Sequence, residues 1–183
     1  NVLSQEASTC ASILAFNNDI GLPLSLLSAR PHHKYIVLEA GSSSPGEIDL
    51  LGSIAQPEHA IITMVGESHL QDLESREGVA KEKYSLLPHV RISAWVRDDP
   101  YDLPPGLTSK VHRFRSMNGS TGHDSILNMH GSSLTLEDGT TFRVGLPGHH
   151  NATNAIPVIQ LARSLGLGDS AIQQGLDKVR PPR

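Results

Sequence analysis

The sequence predicts an α/β fold: a mostly parallel sheet flanked by helices, carrying a small antiparallel β appendage. Three observations predict it. Short aliphatic runs alternate with helix-like stretches over the first half, those runs lack polar alternation, and an Asp-Gly pair at 138–139 sits between two segments that do alternate. A length of 183 residues suits one domain with a real hydrophobic core, or one large domain with an appendage.

The elements follow in order. Tyr35 to Glu39, Ala60 to Val65 and Arg91 to Val96 are β-branched or aliphatic runs, expected as strands buried on both faces. Leu22 to Ala29, Glu47 to Ile54 and Ser75 to Leu87 are expected as helices between them. Strand and helix in alternation imply right-handed crossovers and a parallel sheet, whose ligands gather at the carboxyl ends of the strands. Glu39 stands at such an end. The character changes after Asp98-Asp99-Pro100, and Pro104-Pro105-Gly106 breaks any regular element. Residues 108–146 then read as a β-rich subregion within the 1–183 domain. There, Ser133 to Glu137 and Thr140 to Val144 flank Asp138-Gly139, a hairpin signal expected as a type I′ turn. In the tail, Ala155, Val158, Ile159, Ala162 and Leu165 make one apolar face. Gly166 and Gly168 stop that helix, and Asp169 is expected to cap a second, with Ile172, Leu176 and Val179 inward.

Composition narrows the function classes. The formal charge is −4, with lysines and arginines too scattered for the basic stripe that nucleic-acid phosphates require. No apolar run approaches the roughly 20 residues of a membrane span. The single cysteine, Cys10, forms no internal disulfide, and no signal region opens the chain, so a reducing cytoplasm is expected.

Two places carry chemistry. Leu146 to Ala155 packs Pro147-Gly148, His149, His150, Asn151 and Asn154 into the entry of an apolar helix. On a helical wheel from Val79, Lys83 falls in the middle of the stripe made by Val79, Ala80, Leu86 and Leu87, while Lys81 points to water. A lysine so placed either snorkels outward or is held near a site. Burial lowers its pKa and frees the amine for carbamylation by carbon dioxide, and a carbamate is a hard oxygen ligand suited to magnesium. Read singly, Glu39 ends a strand at the solvent edge, His69 is a loop histidine, His149 and His150 are surface residues and Asn151 is a helix cap. His112, His123 and His130 have no metal-like spacing.

Taken in order, the blocks are more specific. Asn17-Asn18-Asp19-Ile20-Gly21-Leu22-Pro23, Glu39-Ala40-Gly41 with Pro45-Gly46-Glu47-Ile48, His69-Leu70 with Gly78 to Lys83, and Gly148 to Asn151 with Asn154 together resemble the central ATPase domain of the Mur ligases. Within that family they are most similar to the branch that adds D-Ala-D-Ala to UDP-MurNAc-tripeptide in peptidoglycan precursor synthesis. The resemblance implies ATP and Mg2+ as cofactors, with Glu39 and His69 as magnesium ligands and Lys83 as a carbamylated ligand of a second magnesium. It also implies His150, Asn151 and Asn154 at the nucleotide, and Asn17 and Asn18 at the substrate end. A monomer is expected.

The departures are local. Family members carry a Gly-Lys-Thr or Gly-Lys-Ser phosphate loop before this region, and Asn1-Val2-Leu3-Ser4 resembles the helix just after it. The chain alone is therefore expected to bind ATP weakly and not to turn over, because the loop's N–H cradle and lysine are the main triphosphate anchor. Ser43-Ser44, Ser85 and Val96 also differ from frequent residues of the family. A folylpolyglutamate or cyanophycin synthetase relative is the alternative within the superfamily, and a degenerate non-catalytic scaffold is the alternative outside catalysis.

Overall fold

The computed structural model of the chain describes residues 1–12, 16–66, 75–115, 125–128 and 131–180. It divides into two compact units, Thr9–Arg113 and Asn1–Ser8 with Phe114–Arg183. The α/β class holds, with parallel strand pairs, flanking helices and an antiparallel sheet.

The first unit runs β1 (Thr9–Ala11), α1 (Gly21–Leu27), β2 (Tyr35–Val37), α2 (Glu47–Ala55), β3 (His59–Ile62), α3 (Arg76–Tyr84), β4 (Ser93–Arg97) and all but the last residue of β5 (Val111–Phe114). β1 pairs with β2 in parallel, Cys10 opposite Ile36. β3 pairs with β4 in parallel, Ala60 opposite Ala94 and Ile62 opposite Val96, and β5 joins the free edge of β4. Ala60, Ile62, Ala94 and Val96 share one face, and Ala80, Tyr84, Leu87 and Val90 close a core over it. Leu22, Ile48 and Leu51 form a second cluster between α1 and α2, with Leu38 and Leu86 packed on it. Each such aliphatic side chain contributes roughly 1.5–3 kcal/mol on burial.

The expectation of strands buried on both faces holds for the centre of β4 alone. His59 and Ile61 alternate with the buried Ala60 and Ile62 of β3, and Ile36 and Val37 of β2 are each 44% exposed. β4 has a strand on either side, whereas β2 has only β1 among the described residues. Burial follows neighbours, and an apolar run cannot report how many it has.

Helix starts obey local chemistry. Ser75 caps α3, its Oγ accepting from the Gly78 amide at 3.0 Å. Asn18 Oδ1 accepts from the Gly21 amide at 2.8 Å at the entry to α1. Gly21 has to be glycine, because a Cβ there would lie 2.5 Å from Phe16 Cα.

The second unit holds β6 (Ser125–Asn128), β7 (Gly131–Thr135) and β8 (Thr141–Val144) in an antiparallel sheet, followed by α4 (His149–Ser164) and α5 (Asp169–Asp177). A 3₁₀ turn, Leu3–Gln5, packs on α5. Leu134, Phe142, Val144, Ile156, Ile159, Ile172 and Leu176 are buried. The buried stripe of α4 is Ala152, Ala155, Ile156, Ile159 and Ala162, whereas Val158 and Leu165 are only half-buried. The expected face is therefore rotated by part of a turn. α4 ends as expected at Gly166, φ +87°, with Leu167 N donating to Ala162 O and Gly166 N to Arg163 O, a Schellman arrangement.

Two local expectations are corrected. The hairpin turn is not type I′: Gly139 has φ +82° but Asp138 does not adopt a positive φ. Gly139 N donates to Leu136 O and Leu136 N to Thr140 O, the pattern of a type I turn with a glycine bulge. Asp169 does not cap α5; Gly168 stands at that position, and the Asp169 carboxylate takes the Arg163 guanidinium at 2.7 and 2.8 Å. Arg163 also reaches Asp138 at 2.6 Å and lies 5.4 Å over the Phe142 ring. One guanidinium thus ties the hairpin tip to the start of α5, a competing use that draws Asp169 away from capping.

The Thr140 amide first, and Arg163 after it, hold the Asp138 carboxyl at about 2 instead of 3.8. A depressed carboxyl stabilises the fold above its unfolded value and loses that contribution as pH falls toward the folded one. In Arg163→Met the Asp138 midpoint is expected to rise but to stay below 3.8, since the Thr140 amide remains. Carboxyl-detected NMR titration checks this, and an unmoved midpoint would remove Arg163 from the network.

Candidate active site

The site is built from the carboxyl ends of β2 and β3. Glu39 lies two residues past β2, with its amide donating to Ser12 Oγ at 3.0 Å. Its Oε1 accepts from Asn17 Nδ2 at 3.1 Å. Asn17 O in turn accepts from the Gly41 amide at 2.9 Å, and a Cβ at Gly41 would push on the Asn17 side chain, meeting Nδ2 at 2.8 Å. Asn17 therefore sits against both the side chain and the loop of Glu39, and the two residues expected at one site touch. The Glu39 carboxylate is exposed.

The loop runs on to α2. Ser43 and Ser44 amides donate to Glu47 Oε2 at 2.7 and 3.2 Å, a carboxylate in the first turn folding back over its own helix entry. Gly46 takes φ +89° at the N-cap position and offers no side chain to cap α2.

Lys83 reaches the end of β3. Its Nζ donates to Met64 O at 2.7 Å, two residues past that strand. Val79 and Ala80 are buried, Lys83 is half-buried and Lys81 is exposed, as the helical wheel predicts. Desolvation lowers the Lys83 pKa, and the Asp99 charge partly offsets it. Asp99 is placed by accepting from the Val65 amide at 3.2 Å and by Arg97 at 3.6 Å. Burial also raises the Tyr84 phenol, with Asp99 adding to the effect.

Asn18, expected at the substrate end, lies at the entry to α1. Its side chain is spent on the Gly21 amide, so it shapes the entry to α1. His69 lies outside the described residues.

In the second unit, His150, Asn151 and Asn154 occupy the first turns of α4. Positions 150 and 154, and 151 and 154, are neighbours on one helix face. Asn151 is not the cap: Gly148 is, and Asn151 Nδ2 donates to Pro147 O at 2.8 Å. The His150 ring folds over Gly148, where φ is +113° and a Cβ would meet the ring at 2.7 Å. Buried Ser132 of β7 donates toward Leu146 O at 3.0 Å and Gly148 O at 3.3 Å, pinning the loop that presents these residues. Nothing in an alternating strand marks Ser132 for that duty.

The Mur ligase middle domain family matches residues 1–162. The chain belongs to that family. It is 33% identical over 177 residues to the UDP-N-acetylmuramoyl-tripeptide--D-alanyl-D-alanine ligase of Bacillus subtilis, covering 90% of this chain and 37% of that protein. It is 34% identical over 192 residues to the Escherichia coli ligase of the same name, covering 98% of this chain and 42% of that one. The chain thus spans about two fifths of the length of these relatives. Among solved structures, MurF from Acinetobacter baumannii superposes with a TM-score of 0.84 at 27% identity, over 100% of this chain and 42% of that one. MurF from Thermotoga maritima in complex with ADP shares the fold, with a TM-score of 0.78 at 24% identity, over 99% of this chain and 44% of that one.

The Lys83 ammonium is expected to titrate below 10.5, the ordinary lysine value, and Asp99→Asn to lower it further. Removing the carboxylate charge removes what favours the protonated amine, while the amide oxygen still accepts from Val65. Side-chain NMR of selectively labelled lysine reads both, and a rise in Asp99→Asn would contradict the electrostatic account.

Proposed function

We propose that the chain is the nucleotide-binding middle domain of a ligase that joins D-Ala-D-Ala to UDP-MurNAc-tripeptide in peptidoglycan precursor synthesis. The observation that carries this reading is 33% and 34% identity, over 90% and 98% of the chain, to two ligases of that name. Residues 108–146 are its β-rich part. The reaction class is carboxylate activation: the γ-phosphoryl group of ATP passes to the tripeptide carboxylate, giving ADP and an acyl phosphate. The dipeptide amine then attacks the acyl carbon, an amide bond forms, and phosphate and a proton leave. Both partners of the first step are anions, so positioning and charge neutralisation are the work to be done.

The donor chemistry fits magnesium in part as it stands. An ionised carboxylate is a hard oxygen ligand, and Glu39 is aimed by Asn17 through Oε1. An ammonium has donors and no lone pair, so Lys83 would ligate only as a carbamate. Its half-buried amine, with a lowered pKa, suits that modification. Glu39, carbamylated Lys83 and His69 would hold the two ions, which when bound neutralise phosphate and carboxylate charge. Asn17 orients Glu39, Asn18 sets the loop beside it, and His150, Asn151 and Asn154 are assigned to the nucleotide. The protein works in the cytoplasm as a monomer.

The test measures phosphate release by the whole encoded protein with ATP, Mg2+, UDP-MurNAc-tripeptide and D-Ala-D-Ala. Glu39→Ala and Lys83→Ala are each expected to lower kcat/KM by at least about 100-fold, or ~2.7 kcal/mol. Ligation that survives both substitutions would overturn the site, and no dipeptide-dependent release by the unsubstituted protein would overturn the reaction.

A further inference from the structure

One buried charge has no part in the reading above. Glu82 of α3 is 5% exposed, the single charged side chain buried among the described residues. Its Oε2 accepts from the Gly46 amide at 2.7 Å and its Oε1 from the Ile48 amide at 2.8 Å. Those amides open α2, whose own N-cap is a glycine without a side chain. A buried carboxylate costs several kcal/mol unless donors meet its oxygens. The amino end of a helix supplies both unpaired N–H groups and positive dipole. Gly46, at φ +89°, holds a conformation that favours glycine and brings no side chain; taking the cap from α3 fastens two elements together.

Both elements lead to the site. Glu82 precedes Lys83 on α3, and the segment whose far end it holds begins at Glu39. The near end of that segment is held by Ser12 and Asn17. A carboxylate on one side and an amine on the other are therefore joined through Glu82 and the α2 entry.

We propose that Glu82 is a positioning residue: by gripping the amino end of α2 it sets the separation of Glu39 from Lys83 in the magnesium pocket they line. The proposal rests on the metal-site reading above, and the experiment separates the two. Magnesium chloride is titrated into the chain in bicarbonate buffer, with binding read by calorimetry and thermal midpoint read alongside. Glu82→Gln keeps the shape but presents a donor where an acceptor is needed, and is expected to weaken magnesium binding by about tenfold or more, with Glu39→Gln as the ligand control. If Glu39→Gln leaves binding unchanged, the metal-site reading falls and Glu82 falls with it. If Glu39→Gln weakens binding while Glu82→Gln lowers only the thermal midpoint, Glu82 is a structural cap and the positioning role is overturned. Where Glu82→Gln does not fold, the unsubstituted chain decides: saturating magnesium is expected to slow hydrogen exchange at the Gly46 and Ile48 amides, and unchanged exchange there overturns the proposal.

Discussion

The amino end of α2 is where the first unit settles its polar accounts. A helix opens with amides that have no intrahelical partner, and Gly46, with its positive φ, brings no side chain to meet them. Glu82 takes two contacts from the far side, at Gly46 and Ile48, and Glu47 folds back onto Ser43 and Ser44. Those contacts hold the far end of the seven-residue stretch from Glu39 to Pro45, and Ser12 and Asn17 hold the near end. Glu39 remains an exposed acid, but its amide is fixed on Ser12 and its carboxylate has a neighbour, Asn17, to aim it.

Sequence reasoning reached the parts of this arrangement that depend on local pattern. Gly166 ending α4 and the inward turn of Lys83 both follow from spacing and residue type. It failed where one residue had two possible employers. Asp169 carries the residue type of a cap, but Arg163 takes its carboxylate. Glu82 gave a faint signal: at roughly 100° per residue it lies about 60° from Val79, on the border of the buried stripe. An acid there reads as solvated, and only the uncapped glycine of α2, distant in sequence, explains why it is not.

Burial of the strands was the other limit. Tyr35 to Val37 and Ala94 to Val96 look alike as runs, yet Val37 is 44% exposed and Val96 1%. The difference lies in the number of paired neighbours, a property of the sheet rather than of the run. Asn17, Glu39 and Lys83 were each marked by ordered motifs, whereas the contact between Asn17 and Glu39, 22 positions apart, was not legible before the fold.

Glu39 and Lys83 are proposed to serve one cation pocket beside a nucleotide. A crystal structure of the encoded protein with magnesium and a non-hydrolysable ATP analogue tests that most directly. The expected result is magnesium with Glu39 oxygen at about 2.0–2.1 Å, His69 on an ion of the same pocket, and carbamate density on the Lys83 amine facing it. Magnesium and triphosphate seated elsewhere, with Glu39 in solvent and Lys83 still an unmodified amine on Met64 O, would contradict it.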